Sequence, residues 1–267
     1  MTRPLIVTDC DEVLLHMVVP FRQWLDDTHN VHFDMHDRGF AEALRHKDSG
    51  EPLERELVWQ LLVGFFDTEM HRQAPIAGAV EALMRLSRIA DIMVLTNIGE
   101  RHHQARVAQL ATHGLDLPVQ WNQGPKGRPL ARIVAERQPS VALFIDDLAE
   151  HHESAARHAP GIWRLHMVGE PEIATGIPAA SHAHARIDDW VEAERWIIAR
   201  LADGAAPPAP PPPPPASGVG DWSSDVCSSD LLRAAVEAVR ADASARGTSA
   251  PQLEASGGIS LDRKSVV

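Results

Sequence analysis

Pro4-Leu5-Ile6-Val7-Thr8-Asp9-Cys10-Asp11-Glu12-Val13-Leu14 is the stretch on which the reading of this chain turns. Leu5, Ile6 and Val7 leave no polar position before Thr8, and the run leads directly into two acids spaced by one residue. An apolar run without alternation has no solvent face, so it suits a strand buried on both sides, as in a parallel sheet. Two further runs share this form: 92–96, which ends in Thr96-Asn97, and 141–145, which ends in Asp146-Asp147. Weaker strand signals lie at 118–121, 161–165 and 185–187.

Helical periodicity fills the intervals. It covers 79–87 (Val80, Leu83, Met84, Leu86), 101–113 (Val107, Leu110, Ala111), 130–137 (Ile133, Val134) and 190–201 (Val191, Trp196, Ile197). This alternation predicts an α/β fold, a Rossmann-like parallel sheet with helices on both faces. One interval is too long for a single crossover helix. Residues 15–74 carry helical stretches near 18–27, 40–46 and 53–66, and Trp24, Leu25, Leu57, Trp59, Leu61, Leu62, Phe65 and Phe66 can supply a small second core. An inserted α-helical cap (15–74) is therefore expected above a catalytic core made of 1–14 and 75–204.

The 267 residues carry 37 acids against 25 bases, a formal net charge of −12. That balance argues against a nucleic-acid or anionic-membrane partner, which needs basic patches. Two cysteines cannot build a disulfide framework or a Cys-rich zinc site, and no apolar run approaches the roughly 20 residues that span a bilayer. Arg3 and Pro4 lead into an apolar run too short for a signal peptide. A soluble protein of the reducing cytoplasm is expected.

Composition changes near residue 204. Pro207, Pro208 and the unbroken run 210–215 form a polyproline segment without backbone donors, expected to be a disordered tail spanning 205–219. Beyond it, Asp221-Trp222-Ser223-Ser224-Asp225-Val226-Cys227-Ser228-Ser229-Asp230-Leu231 resembles a translated short-read sequencing adapter. Asp262-Arg263-Lys264-Ser265-Val266-Val267 resembles the companion adapter. Residues 220–267 are therefore expected to be a non-native, disordered artefact. The short insert 232–261 would be foreign, and a helical stretch near 231–240 says nothing about the protein. Without 217–267, thirty acids face twenty bases, a balance of −10, and Cys10 is the cysteine that remains.

Ligands of open parallel sheets bind beyond the carboxyl ends of the strands, and the polar residues collect there. Asp9 and Asp11 follow the first strand, Thr96 and Asn97 the second, and Asp146 and Asp147 the fourth; Lys126 lies in Gly124-Pro125-Lys126-Gly127 after the third. Four carboxylates gathered together repel, a divalent cation relieves that repulsion, and an all-oxygen donor set favours Mg²⁺ over zinc. Mg²⁺ held this way usually takes phosphate as a further ligand, and Thr96 and Lys126 suit phosphoryl oxygens. Singly, each residue has an ordinary role: an Asp after a strand caps a helix, Thr-Asn makes a turn, and a loop lysine is a solvated charge. The joint pattern points to a site.

In this order the segments resemble the motifs of the haloacid dehalogenase superfamily of phosphohydrolases. Residues 9–14 fit DxDx[TV]L, Leu95-Thr96-Asn97 the strand-terminal Thr/Ser motif, Lys126 the lysine motif and Phe144-Ile145-Asp146-Asp147 the paired-acid motif. Pro75-Ile76-Ala77-Gly78-Ala79-Val80 resembles the return from a helical cap. The resemblance covers about residues 4–200. It implies a Mg²⁺-dependent hydrolase of a small phosphate ester, with Asp9 the nucleophile and Asp11 the general acid and base. It further implies Thr96, Asn97 and Lys126 at the phosphate, and Asp9, Asp11, Asp146 and Asp147 at the metal, Asp11 through its backbone carbonyl. Lys126 stands in Pro-Lys-Gly where such proteins often have Lys-Pro, and Arg128 is a nearby competitor. Asp11 disfavours dehalogenase and phosphonatase chemistry. A phosphomutase, a receiver-type signalling domain and a non-catalytic phosphate-binding protein are the alternatives.

Other signals carry less. His102-His103, His151-His152 and His182-Ala183-His184 lack a third ligand at a zinc-type spacing. Cys10, between the two acids, should point away from them into the core. Among His16, Arg22, Arg45, His46 and Lys47 of the insert, His16 is the best placed to meet a substrate.

Overall fold

The computed structural model describes residues 2–33, 43–205 and 207. The adapter-like segments, the stretch 231–240 and nearly all of the proline run lie outside the described residues. In chain order the elements are β1 (Leu5–Thr8), α1 (Val18–Thr28), β2 (Val31–Phe33), β3 (Leu44–His46), α2 (Arg55–Thr68), α3 (Ala79–Leu86), β4 (Asp91–Thr96), α4 (His103–Thr112), β5 (Val119–Trp121), α5 (Gly127–Arg137), β6 (Ala142–Asp146), α6 (Ala149–His158), β7 (Trp163–His166), α7 (Pro171–Ala174), β8 (Ala185–Arg186) and α8 (Trp190–Asp203). Single 3₁₀ turns cover Met70–Arg72 and Glu100–His102.

Six strands form one parallel sheet in the order β5-β4-β1-β6-β7-β8. The central strands are apolar throughout because both of their faces are covered. Ile6, Val94, Leu143 and Ile145 pack with Leu83 and Leu86 of α3, Leu110 of α4 and Trp190 and Ile197 of α8. Leu5, Val7, Met93, Leu95 and Phe144 pack on the other face with Leu130 and Ile133 of α5 and Ala155 of α6. The chain runs outward from β1 through β4 to β5, then crosses back to β6 on the other side of β1. That reversal opens a crevice above the carboxyl ends of the strands. Among the described residues no helix is long and apolar enough to cross a membrane.

The segment between β1 and α3 has an apolar cluster of its own, centred on Phe21, Trp24, Leu25, Trp59, Leu62 and Phe65. It leaves and rejoins the core at adjacent points: His16 N donates to Ala74 O (2.9 Å) and Ile76 N to Leu14 O (2.9 Å). The helix expected at 40–46 is corrected. Leu44–His46 is a strand, antiparallel to β2, with Val31 opposite His46 and Phe33 opposite Leu44; 40–42 lie outside the described residues. Val31, Phe33 and Leu44 are buried while His32 and His46 are exposed, a two-residue alternation that suits a hairpin lying on helices. Among the described residues the insert thus holds two α-helices and an antiparallel strand pair. At its entrance Glu12 takes a left-handed conformation (φ 57°). Its Oε1 accepts from Met17 N (2.7 Å) and Val18 N (2.6 Å), capping α1 from outside the helix.

Two helical readings need adjustment. α5 begins at Gly127 instead of 130, with Pro129 in a first turn where no backbone donor is needed. α6 had no counterpart in the pattern because its buried face consists of His151, His152, Ser154 and Ala155.

Candidate active site

β1, β4 and β6 run in parallel register: Thr8 pairs with both Val94 and Ile145, β4 continues to Thr96 and β6 to Asp146, and Asp9 N donates to Ile145 O (2.8 Å). Asp9, Thr96 and Asp146 therefore arrive at the same end of the sheet. Asp9, Asp146 and Asp147 offer oxygens that all lie within 4.8 Å of one another. Lys126, at the N-cap position of α5, reaches in between them, with Nζ 2.7 Å from Asp9 Oδ1 and 2.7 Å from Asp146 Oδ2, and it is fully buried. Gly127 makes this approach possible. Its N–H donates to Ser154 Oγ (3.1 Å), and a Cβ at this position would overlap the Ser154 carbonyl. Arg128 is exposed and turns to His158.

Asp146 Oδ1 accepts from Leu148 N (3.0 Å) and lies 2.9 Å from His151 Nδ1. The Asn97 amide donates to Gly124 O (3.1 Å) and sits 3.3 Å from His151 Nε2, while its carbonyl accepts from Asn122 (2.8 Å). Thr96 is fully buried, and its hydroxyl has no hydrogen-bond partner among the described residues. A buried hydroxyl left without a partner is uncommon and calls for a polar group from a ligand.

The Asp11 carboxylate lies outside the oxygen cluster. Oδ1 accepts from Gln73 Nε2 (2.6 Å) and Arg106 Nη2 (2.9 Å), and Oδ2 accepts from the same Nη2 (3.0 Å). The reason is electrostatic: a fully buried guanidinium requires a counter-charge, and Asp11 supplies it. A contribution of Asp11 to a metal would have to come from its backbone.

Burial pushes the Asp9 carboxyl up to about 6; Lys126 opposes this, and Asp146 and Asp11 reinforce it. Burial, Asp146 and Asp9 hold Asp147 well above the usual carboxylate range. Burial also works against ionised Asp146, yet His151 and Lys126 keep it below the usual range. Burial would discharge Lys126, but Asp146 and Asp9 hold it firmly protonated. One buried cation thus faces three acids, an arrangement that a divalent cation would relieve.

The remaining candidates are engaged elsewhere. Cys10 is buried in the core with its thiol pushed up by burial, and its Sγ accepts from Arg106 Nη1 (3.2 Å). His16 pairs with Glu170 (2.9 Å), Arg22 with Glu172 (2.8 Å) and Lys47 with Asp26 (2.6 Å), while Arg45 bonds Gly50 O. His102 meets Asp67, His103 meets Val119 O, His152 meets Asp146 O, and His184 lies beside Arg164. Among the described residues the carboxylate trio is the one group of three placed to share a metal. The sequence reading missed Arg106 and Gln73, and it weighed His151 only as one of a histidine pair short of a zinc ligand set. Arg106, Gln109 and Leu110 share the buried face of α4, so their spacing held a faint signal; Gln73 had none.

No family model matches the chain, and no curated protein matches its sequence. Solved structures do. A haloacid dehalogenase-like hydrolase from Streptococcus pneumoniae superimposes with a TM-score of 0.51 at 12% identity, covering 74% of this chain and 98% of that one. A "predicted phosphoglycolate phosphatase" from Haemophilus somnus gives 0.51 at 16% identity, covering 72% of this chain and 97% of that one. The fold is that of the haloacid dehalogenase-like hydrolases. On this haloacid dehalogenase-like sheet, Asp9, Thr96 and Asp146 stand at the ends of adjacent strands, with Lys126 above them.

Proposed function

We propose that the protein is a Mg²⁺-dependent phosphohydrolase acting on a small phosphate ester through an aspartyl-phosphate. The observation that carries this reading is Asp9 just past the end of β1, its Oδ1 2.7 Å from the buried Lys126 Nζ, at the same end of the sheet as Thr96, whose buried hydroxyl has no partner among the described residues. The donor set fits Mg²⁺: Asp9, Asp146 and Asp147 are hard oxygen ligands without a nitrogen or sulfur competitor in the trio. Mg²⁺, when bound, would neutralise charge on the phosphoryl oxygens.

Asp9 attacks phosphorus in line, and the bond from phosphorus to the ester oxygen breaks. Asp11, after taking up a proton from solvent, gives it to the departing oxygen. Lys126 and Thr96 hold the phosphoryl oxygens and stabilise their charge. Asp11 then takes a proton from water as the water oxygen attacks the aspartyl-phosphate, releasing phosphate and restoring Asp9. His151 and Leu148 N hold Asp146 in orientation.

The insert acts as the cap that excludes water and selects the substrate. It meets the core through Asp67 with Arg101 (2.6 Å) and His102 (2.7 Å), and through Gln109 with Met70 O. The acidic balance supports a small-molecule partner over nucleic acid or membrane, and the buried, unpaired Cys10 suits the cytoplasm.

Hydrolysis of p-nitrophenyl phosphate with and without Mg²⁺ tests the reading. Activity should require the ion and disappear in Asp9→Asn. Turnover that survives Asp9→Asn rejects the mechanism.

A further inference from the structure

Arg106 is fully buried on α4 and gripped from three sides. One nitrogen bonds both oxygens of Asp11, a second reaches Cys10 Sγ, and the guanidinium lies over the Phe66 ring of α2 at 5.7 Å. Gln73, equally buried, sits on the segment that returns from the insert. Its amide donates to Asp11 Oδ1 (2.6 Å) and to His16 O (3.3 Å), and its carbonyl oxygen lies 3.5 Å from the Gln109 amide.

We propose that Arg106 and Gln73 form a clamp that sets the position of the Asp11 carboxylate, with Arg106 a positioning residue for acid–base catalysis. The inference rests on the reading of Asp9 and Asp11 given above. With Nη1 held on Cys10 Sγ and the plane lying over the Phe66 ring, the guanidinium fixes where Nη2 meets the two Asp11 oxygens, an anchoring that a lysine ammonium on a flexible stem lacks. Clamped, the carboxylate stays outside the oxygen cluster of Asp9, Asp146 and Asp147. The parts of the clamp come from both sides of the seam: Arg106 from a core helix, Phe66 from an insert helix, and Gln73 from the connection between them. A shift of the insert therefore takes Gln73 away from Oδ1, while Arg106 Nη2, bonded to both oxygens, keeps the carboxylate in its place beside the ester oxygen.

Leaving-group dependence in the purified full-length protein with Mg²⁺ tests the clamp. p-Nitrophenolate departs without a proton, whereas the less acidic phenol of phenyl phosphate needs one. Asp11→Asn should therefore slow phenyl phosphate far more than p-nitrophenyl phosphate. Arg106→Lys and Gln73→Ala should show the same selectivity in kcat, roughly tenfold or more, with KM little changed. Added to Asp11→Asn, neither should cause further selective loss, because all three act through one carboxylate. Equal losses on both esters, or additive losses in the double variants, overturn the clamp. If Asp11→Asn itself shows no selectivity, the acid–base reading falls and the clamp with it; if Asp11→Asn is selective and the clamp variants are not, the clamp alone falls. Should Arg106→Lys not fold, Gln73→Ala, which removes an uncharged group, carries the same test.

Discussion

Lys126 Nζ and Asp146 Oδ2, from residues twenty positions apart, meet at 2.7 Å with both side chains sealed from solvent. The same ammonium stands 2.7 Å from Asp9, so removing it leaves buried acids without their cation. Lys126→Met should destabilise the protein by about 3–5 kcal/mol in the absence of metal. It should lower phosphate-ester hydrolysis by roughly 100-fold or more. Thermal unfolding with and without Mg²⁺ checks the electrostatic origin: the ion should raise Tm more in the variant than in the parent, and an unchanged metal-free Tm would contradict it.

Asp147→Asn should act in opposite directions on stability and metal binding. Burial, Asp146 and Asp9 disfavour its ionised form, so an amide relieves repulsion in the metal-free protein. A gain of about 1 kcal/mol is expected, about 2–4 °C in Tm for a domain of this size. The Tm increment produced by Mg²⁺ should shrink because a ligand is lost. An increment equal to that of the parent would remove Asp147 from the metal site.

Gly127→Ala tests how the backbone positions Lys126. The added methyl meets the Ser154 carbonyl, which belongs to α6 and cannot swing aside, so α5 must shift. Overpacking of this kind costs about 1–3 kcal/mol. Activity should fall with stability, since Lys126 is the adjacent residue. Unfolding by urea together with p-nitrophenyl phosphate hydrolysis measures both, and a variant with parental stability would show that the close approach is relieved elsewhere.

His166→Gln should change how stability varies with pH. Burial and the neighbouring His152 push His166 down to about 3, and burial pushes His152 down to about 4. In the unfolded chain both take up a proton near pH 6.5, roughly the ordinary value. Below that pH the unfolded state binds more protons than the folded state, so these groups remove stability as pH falls, with a slope of at most about 1.4 kcal/mol per pH unit for each. Asp9 and Glu12, raised to about 6 and about 7, chiefly by burial, act in the opposite sense: the folded state holds their protons first. The difference between variant and parent therefore carries the test. His166→Gln, whose amide can serve Ala180 N and Asp147 O, should gain on the parent as pH drops from about 7 to about 4. A pH-independent difference would mean that His166 titrates normally.

The strands that carry the site were legible because double-sided burial writes itself as unbroken apolar sequence: Leu5-Ile6-Val7, Ile92 to Leu95, and Val141 to Ile145. Elements whose burial is polar or shallow were not. α6 turns His151, His152 and Ser154 inward, so no apolar period marks it. The hairpin of β2 and β3 is three residues per strand, too short for alternation to stand out. Arg106 looked like an ordinary helix charge, and its burial depends on Asp11, which lies 95 positions away.

The order of polar residues after apolar strands was enough, by itself, to determine a parallel α/β sheet and to gather Asp9, Asp11, Thr96, Asn97, Lys126, Asp146 and Asp147 near one edge of it. A strand's carboxyl end is a fixed address in such a sheet, and the residue that follows the strand inherits that address. Only the tertiary structure decided which charge meets which. Lys126 lies among the acids while Arg128 faces solvent, because Gly127 lets α5 press against α6. Asp11 turns from its neighbours to Arg106 and Gln73, because a buried guanidinium must find its counter-charge through space, and chain separation places no limit on that choice.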